Sequence, residues 1–416
     1  MSGSRAVIAT VLASNVVPAT GQAESRISSP DHPIGAVRLR VVPRAPRRDP
    51  ARLGELDSLR GLAALAVSFA HIFAAPVGMA GAVIAVISLT PLHALYEGQR
   101  AVLFFFVLSG FVLALPFFRG QVSPTAFVVK RAARLYPAYL LVIAASIGAS
   151  VILLGDPHLD LGSALSWASM VSANTPGYDG VVWSLAHEMR LSIVFPLLMI
   201  PIVKFPSRWV LLSSLALVAA GFWVGDTPRS VVPIATVFYA FFFVLGAVVA
   251  KHMDQLVALV RALTARRAAL WLCAALVVYG AMPFTGLALP IQEAAVGLAV
   301  VGIMMLGLGR PAISRFLMHR ALRFLGRISY SYYLVHSVVL TLVADLLYGH
   351  VPNLVVAAVG ILGSIAIAWA AYRWVEVPSI HLGQRLYSRI SERMAERSRP
   401  RIVGWPSPNP APQLGG

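Results

Sequence analysis

Apolar residues run along this chain in blocks long enough to cross a bilayer, and charged residues collect in the connections between them. Ten such blocks can be drawn, at approximately 58–76, 101–118, 136–155, 186–204, 209–225, 231–250, 268–285, 291–309, 329–348 and 354–375. Each is expected to be a helix, because backbone inside lipid must satisfy its own hydrogen bonds and an open sheet leaves edges unpaired. The predicted fold is therefore all-α: a polytopic integral membrane protein of about ten helices.

Lysine and arginine alternate with the connections. The N-terminal tail is basic, and so are the loops after the second block (Arg119, Lys130, Arg131, Arg134), the fourth (Lys204, Arg208), the sixth and the eighth, and the C-terminal tail. The intervening loops are poor in both residues. This bias predicts an even number of spans with both termini cytoplasmic. The expected location is the cytoplasmic (inner) cell membrane, crossed several times.

Composition agrees. Of 416 residues, 58% are hydrophobic and 12% charged, against about a quarter charged in a soluble domain. A net charge of +17 would suggest nucleic acid in a soluble protein, but here the cations follow the membrane topology, so nucleic acid is discounted. Cys273 is the single cysteine, which excludes a disulfide framework or a cysteine metal site within the chain. Three regions follow: a disordered basic extension over 1–52, a transmembrane domain over 53–383 and a basic cytoplasmic tail over 384–416. The segment Arg5 to Ala13 faintly resembles a signal peptide, but cleavage there would leave an arginine cluster outside, against the charge bias.

The first span carries the sharpest chemical signal. Arg60 and His71 are eleven positions apart, about three helical turns, so they share one face at an axial separation of about 16 Å. Ionisable groups at such depth default to a functional role, although a snorkelling arginine and a histidine bonded to a neighbouring helix would give the same spacing.

Further motifs follow in order. The second span contains Ser109-Gly110-Phe111, and the next basic loop reads Lys130-Arg131-Ala-Ala-Arg134-Leu-Tyr136-Pro137. The fourth opens Trp183-Ser184-Leu185-Ala-His187-Glu188. The ninth opens Ser329-Tyr330-Ser-Tyr-Tyr-Leu-Val-His336, and the tenth ends Tyr372-Arg373-Trp374-Val-Glu376-Val-Pro378. With the arginine–ten residues–histidine pattern, this series resembles the membrane acyltransferase-3 family across about residues 53–383. Met189-Arg190 after Glu188 departs from the commoner pattern, which bears on subfamily and acceptor more than on the reaction.

The resemblance implies transfer of an acyl group, usually acetyl from acetyl-CoA, to a hydroxyl of a carbohydrate-like, glycosylated or secreted acceptor. Such chemistry needs a base with a pKa near working pH, which histidine supplies, and His71 is the candidate. Acylation of His71 itself is a variant. Arg60, Arg131 and Arg134 would form one clamp for the phosphates of cytosolic acyl-CoA, since a planar fork suits phosphate. Ordinary positive-inside anchoring is the alternative for Arg131 and Arg134, and Asp57 is expected to orient Arg60 as an ion pair.

Glu188 is expected at the outer mouth of the fourth span, or just inside it. It would bind the acceptor hydroxyl or partner His71, unless it or Ser184 merely caps the helix. His336 is expected about two turns into the ninth span, positioning donor or neighbouring helices, and the tyrosines beside it resemble an interfacial aromatic belt. Arg373 and Glu376 suggest a structural pair, and Ser109-Gly110 suggests close helix packing. Acyl-CoA is expected as co-substrate, with no permanently bound cofactor and no metal: no phosphate-binding loop is present, and His187-Glu188 lacks a second histidine at zinc spacing. No hydrolase-like stretch follows the tenth span, so acceptor choice is expected in the helices, the outer loops or a partner.

Two rivals remain. A transporter or flippase of a lipid-linked or glycosylated substrate would explain many spans, though no internal repeat is visible. A polyprenyl-linked-sugar glycosyltransferase would want an acid in the first outer loop, which offers only Glu97.

Overall fold

The computed structural model describes residues 53–74, 98–120, 122–154, 169, 181–224 and 235–397. The N-terminal extension and the groups Glu97, Asp156, His158, Asp160, Asn174 and Asp179, expected in outer loops, lie outside the described residues.

Within these, the chain is helical, and the sole β contact is an isolated bridge between Tyr348 and Val351. The helices are α1 (Gly54–Ala74), α2 (Gly98–Arg119), α3 (Pro124–Leu154), α4 (Val182–Lys204), α5 (Ser207–Val224), α6 (Ala235–Lys251) and α7 (Met253–Ala262). They continue as α8 (Ala265–Ala281), α9 (Leu289–Gly309), α10 (Pro311–Leu317), α11 (Arg320–Leu347) and α12 (Asn353–Ala371), then a π-helical turn (Tyr372–Glu376) and α13 (Val377–Arg397). Every expected span overlaps one of them, in an all-α polytopic membrane protein. By length and apolarity alone, six of the described helices could cross a membrane, or seven if α6 and α7, bent by 73°, form one span. Helix α1, which carries Asp57, Arg60 and His71, is not among the six.

Two crossings fix the bundle around these polar residues. Helices α1 and α11 run parallel, because contacts advance together from Gly61–Gly326 to Ser68–Tyr332 to His71–His336. At the first contact a Cβ on Gly61 would lie 2.6 Å from the Gly326 nitrogen, so only glycine permits the approach. Helices α2 and α6 meet through Gly110 and Gly246, whose added Cβ atoms would collide with the Phe243 and Val107 carbonyl oxygens. Small residues at membrane helix contacts let backbones touch in this way. The packing role expected of Gly110 is thus met, and the crossing sets its neighbour Ser109.

Several boundaries differ from those read off hydropathy. Helix α3 begins at Pro124, so Arg131 and Arg134 lie inside a helix rather than in a loop. The basic turns are amphipathic enough to continue the apolar run that follows. Helix α11 likewise begins at Arg320, and from there to His336 is about 24 Å along the axis, deeper than two turns. The described part of the basic tail, to Arg397, is helical within α13; Gly383 brings that helix against the Lys130 backbone of α3 and Tyr387 lies 5.1 Å under the Lys130 ammonium, so one face packs on protein.

Candidate active site

Arg60 from α1, Ser109 from α2, Arg131 and Arg134 from α3, Glu188 from α4 and Tyr330 from α11 line one cleft with about 540 Å³ of empty space. Four of the residues singled out in the sequence therefore meet. The i, i+3 spacing of Arg131 and Arg134 puts both on the inward face of α3.

One ion contact organises the cleft. Arg131 Nη2 donates to Glu188 Oε1 at 2.6 Å, and Ser109 Oγ donates to the same oxygen at 3.1 Å. The two charged side chains are 12% and 17% exposed, far enough from bulk water for the charge-assisted bond to hold geometry. Glu188 is thus not at an outer mouth separate from the arginines. Helix α3 starts about three turns earlier than hydropathy suggests, which carries Arg131 inside it, and Glu188 lies nearly two turns inside α4, where the two side chains meet. Helix capping is also excluded: α4 is capped by Val181 without a side-chain bond, while Ser184 Oγ lies 2.7 Å from Tyr333 Oη and 3.1 Å from the Val181 oxygen.

Arg60 lies within electrostatic reach of Arg131, Arg134, Glu188 and Asp57. The expected Asp57–Arg60 ion pair does not close into contact. Asp57 instead presents its backbone to the Gly326 crossing. The Nε–H groups of Arg131 and Arg134 are buried without a hydrogen-bond partner. Three guanidinium groups, one carboxylate and two unsatisfied donors make a cleft suited to an oxygen-rich anion.

Glu376 does not pair with Arg373. The π-helical turn advances the chain by i→i+5 bonding, which rotates Arg373 outward to solvent or lipid while Glu376 stays buried. Its Oε2 accepts from Ser331 at 2.7 Å, and its charge interacts with those of Arg134 and Arg60.

Behind the cleft lies a histidine pair. His336 Nε2 is 3.4 Å from His71 Nδ1, with ring centroids 5.2 Å apart. Neither histidine lines the cleft. Tyr333 does, and its ring also packs on His336 at 5.8 Å. The face shared by Arg60 and His71 thus points at α11 along its length, with Tyr333 between the two levels.

Ser109, Tyr330, Tyr332 and Tyr333 were not legible as site residues. The tyrosines are no interfacial belt: Tyr330 Oη donates to the Leu135 carbonyl at 2.7 Å, Tyr332 Oη meets Ser68 Oγ at 2.6 Å, and Tyr332 and Tyr333 are buried. The available signal was three tyrosine hydroxyls within four positions of one membrane-length helix, each of which needs a partner once out of water. Among the described residues, no three His, Cys, Asp or Glu side chains gather as a metal site.

Membrane-length helices around a sunken arginine cleft, backed by paired imidazoles, define a polytopic membrane protein with an interior polar site of the kind enzymes use. Residues 53–373 match the family model described as the acyltransferase domain, and the chain belongs to this acyltransferase-3 family. A curated relative, acyltransferase MdmB of Streptomyces mycarofaciens, is 33% identical over 173 residues, covering 38% of this chain and 42% of the relative. The chain thus spans less than half the length of that relative. No solved structure matches the chain.

Proposed function

We propose that this protein moves an acyl group, acetyl in the first instance, from cytosolic acyl-CoA to a hydroxyl of a carbohydrate-like, glycosylated or secreted acceptor at the cell membrane. The observation that carries the reading is the convergence of Arg60, Arg131 and Arg134 on one cleft whose wall, Tyr333, also touches the His336–His71 pair.

In this reading the donor phosphates lie against the three guanidinium groups, on the side of the basic connections. The buried Nε–H groups of Arg131 and Arg134 gain oxygen partners there. The thioester arm reaches toward His71, about 16 Å further along α1, once the Tyr333 ring swings aside. His71 takes the acceptor hydroxyl proton. The alkoxide oxygen attacks the thioester carbonyl, the new C–O bond forms as the C–S bond breaks, and the proton passes to the departing CoA thiolate. Glu188 holds Arg131 in place and is the candidate to contact the acceptor or donor directly.

The test is comparative mass spectrometry of envelope glycans and secreted metabolites from cells with and without the gene, joined to acetyl-CoA consumption by membranes carrying the protein. A gene-dependent mass increase of one acyl unit on a hydroxylated product is expected. Unchanged products together with substrate movement across liposomes in the absence of acyl-CoA would replace this reading with the transporter.

A further inference from the structure

We propose that His336 is the positioning residue for His71, holding a lone pair against its Nδ1–H so that Nε2 of His71 is the nitrogen that takes the proton. This rests on the reading of His71 as the base.

The tautomers follow from the hydrogen-bond partners. His71 Nδ1 lies 2.8 Å from the Val67 carbonyl oxygen, which only accepts, so Nδ1 carries hydrogen. His336 Nδ1 lies 3.1 Å from the Tyr332 carbonyl oxygen, so it too carries hydrogen. In the neutral ring, Nε2 of His336 is then the bare nitrogen, and it faces the His71 Nδ1–H at 3.4 Å. In a neutral His71 ring, hydrogen on Nδ1 leaves Nε2 as the nitrogen able to take a proton. Two neutral imidazoles thus meet donor to acceptor.

The surroundings hold this arrangement. The His336 ring is fully buried and lies flat on Tyr332, with centroids 5.7 Å apart and planes 11° apart. Tyr332 is in turn tied to Ser68, on the helix that carries His71. Tyr333 covers another side of His336. Neither ring can turn over without breaking a carbonyl bond.

The arrangement matters when His71 is protonated. As Nε2 takes the acceptor proton, Nδ1–H becomes a charge-assisted donor, and the His336 lone pair is its second acceptor after Val67. A serine protease uses a carboxylate in this place. Here a neutral ring serves, behind the cleft rather than in it. His336 therefore acts through His71 and not on the donor.

The test uses full-length protein in membranes, acetyl-CoA as donor, extracted envelope glycans as acceptor pool, and release of the CoA thiol as readout. His336→Phe keeps the stack on Tyr332 and removes the lone pair. It should lower kcat by about 10- to 100-fold, part of the range for general-base catalysis, with KM for acetyl-CoA within about twofold. His336→Gln restores an acceptor oxygen and should keep kcat within about fivefold of wild type. Adding His336→Phe to His71→Ala should lower the rate no further, as expected of residues acting as one unit. Folding is checked by monodispersity in detergent, and His336→Met replaces the Phe variant if that chain aggregates. Raised KM with unchanged kcat would place His336 in the donor site and overturn the proposal. So would a folded Gln variant as slow as the Phe variant, or a Phe variant of full activity beside an inactive His71→Ala. A fully active His71→Ala would instead remove the base assignment itself.

Discussion

Removing the Arg131 side chain separates a phosphate clamp from topological anchoring. Arg131 donates to Glu188 at 2.6 Å and holds an unsatisfied, buried Nε–H toward the same cleft. If the donor phosphates fill those donors, Arg131→Ala loses charge-assisted bonds worth about 1.5–3 kcal/mol. At 1.4 kcal/mol per decade this is about a 10- to 150-fold rise in the Kd of acyl-CoA. A second effect follows, because Glu188 is left without its cation. A carboxylate about 6 Å from a phosphate, at an effective dielectric of about 20, repels it by roughly 3 kcal/mol. The single variant should therefore lose the clamp and gain repulsion. The double variant Arg131→Ala/Glu188→Gln should recover the repulsive part but not the clamp. Arg131→Lys keeps the charge without the planar fork and should fall between. The assay is calorimetric binding of acetyl-CoA to the detergent-purified full chain. Affinities within twofold of wild type for both Arg131→Ala and Arg134→Ala, with a topology reporter showing inverted helices, would refute the clamp and leave anchoring.

Two further outcomes test the structure around the site. Gly246→Val places carbon against the Val107 backbone and should cost at least the ~1–3 kcal/mol typical of overpacking, read as a drop in detergent thermal stability; Gly363→Ala, whose Cβ would meet Val339 at an ordinary 3.6 Å, should be neutral or mildly stabilising, and equal effects would argue against the tight α2–α6 crossing. Tyr333→Ala removes the ring between cleft and histidines and should speed acyl-CoA hydrolysis to water while weakening transfer, measured as the ratio of free acid to acylated product; an unchanged ratio would mean that Tyr333 does not separate the two.

Much of this architecture was legible in the sequence because hydropathy and helical period act locally. Apolar runs located the helices, the eleven-residue interval put Arg60 and His71 on one face, and i, i+3 spacing put Arg131 with Arg134. What was hidden depends on contacts between distant segments. That Glu188 meets Arg131 follows from the early start of α3 and from the packing of α3 on α4, and neither leaves a periodic trace. The tyrosines of α11 resemble a belt because an aromatic with a polar tip suits both an interface and a buried hydroxyl network. Arg373 and Glu376 have the spacing of a helical pair, and only the π-helical turn breaks it. His336 was visible as a buried ionisable residue, but its alignment with His71 required the parallel register of α1 and α11.

The central claim is that His71 moves a proton during acyl transfer while the arginine cleft holds the donor. The measurement closest to it is the rate of radiolabelled acetyl transfer from acetyl-CoA by purified His71→Ala, with acetyl-CoA affinity determined on the same preparation. Affinity within about twofold of wild type is expected, with transfer lower by about 10²- to 10⁴-fold, the range a general base contributes. Near-normal transfer would contradict it, and lost affinity with a normal rate at saturation would assign His71 to binding instead.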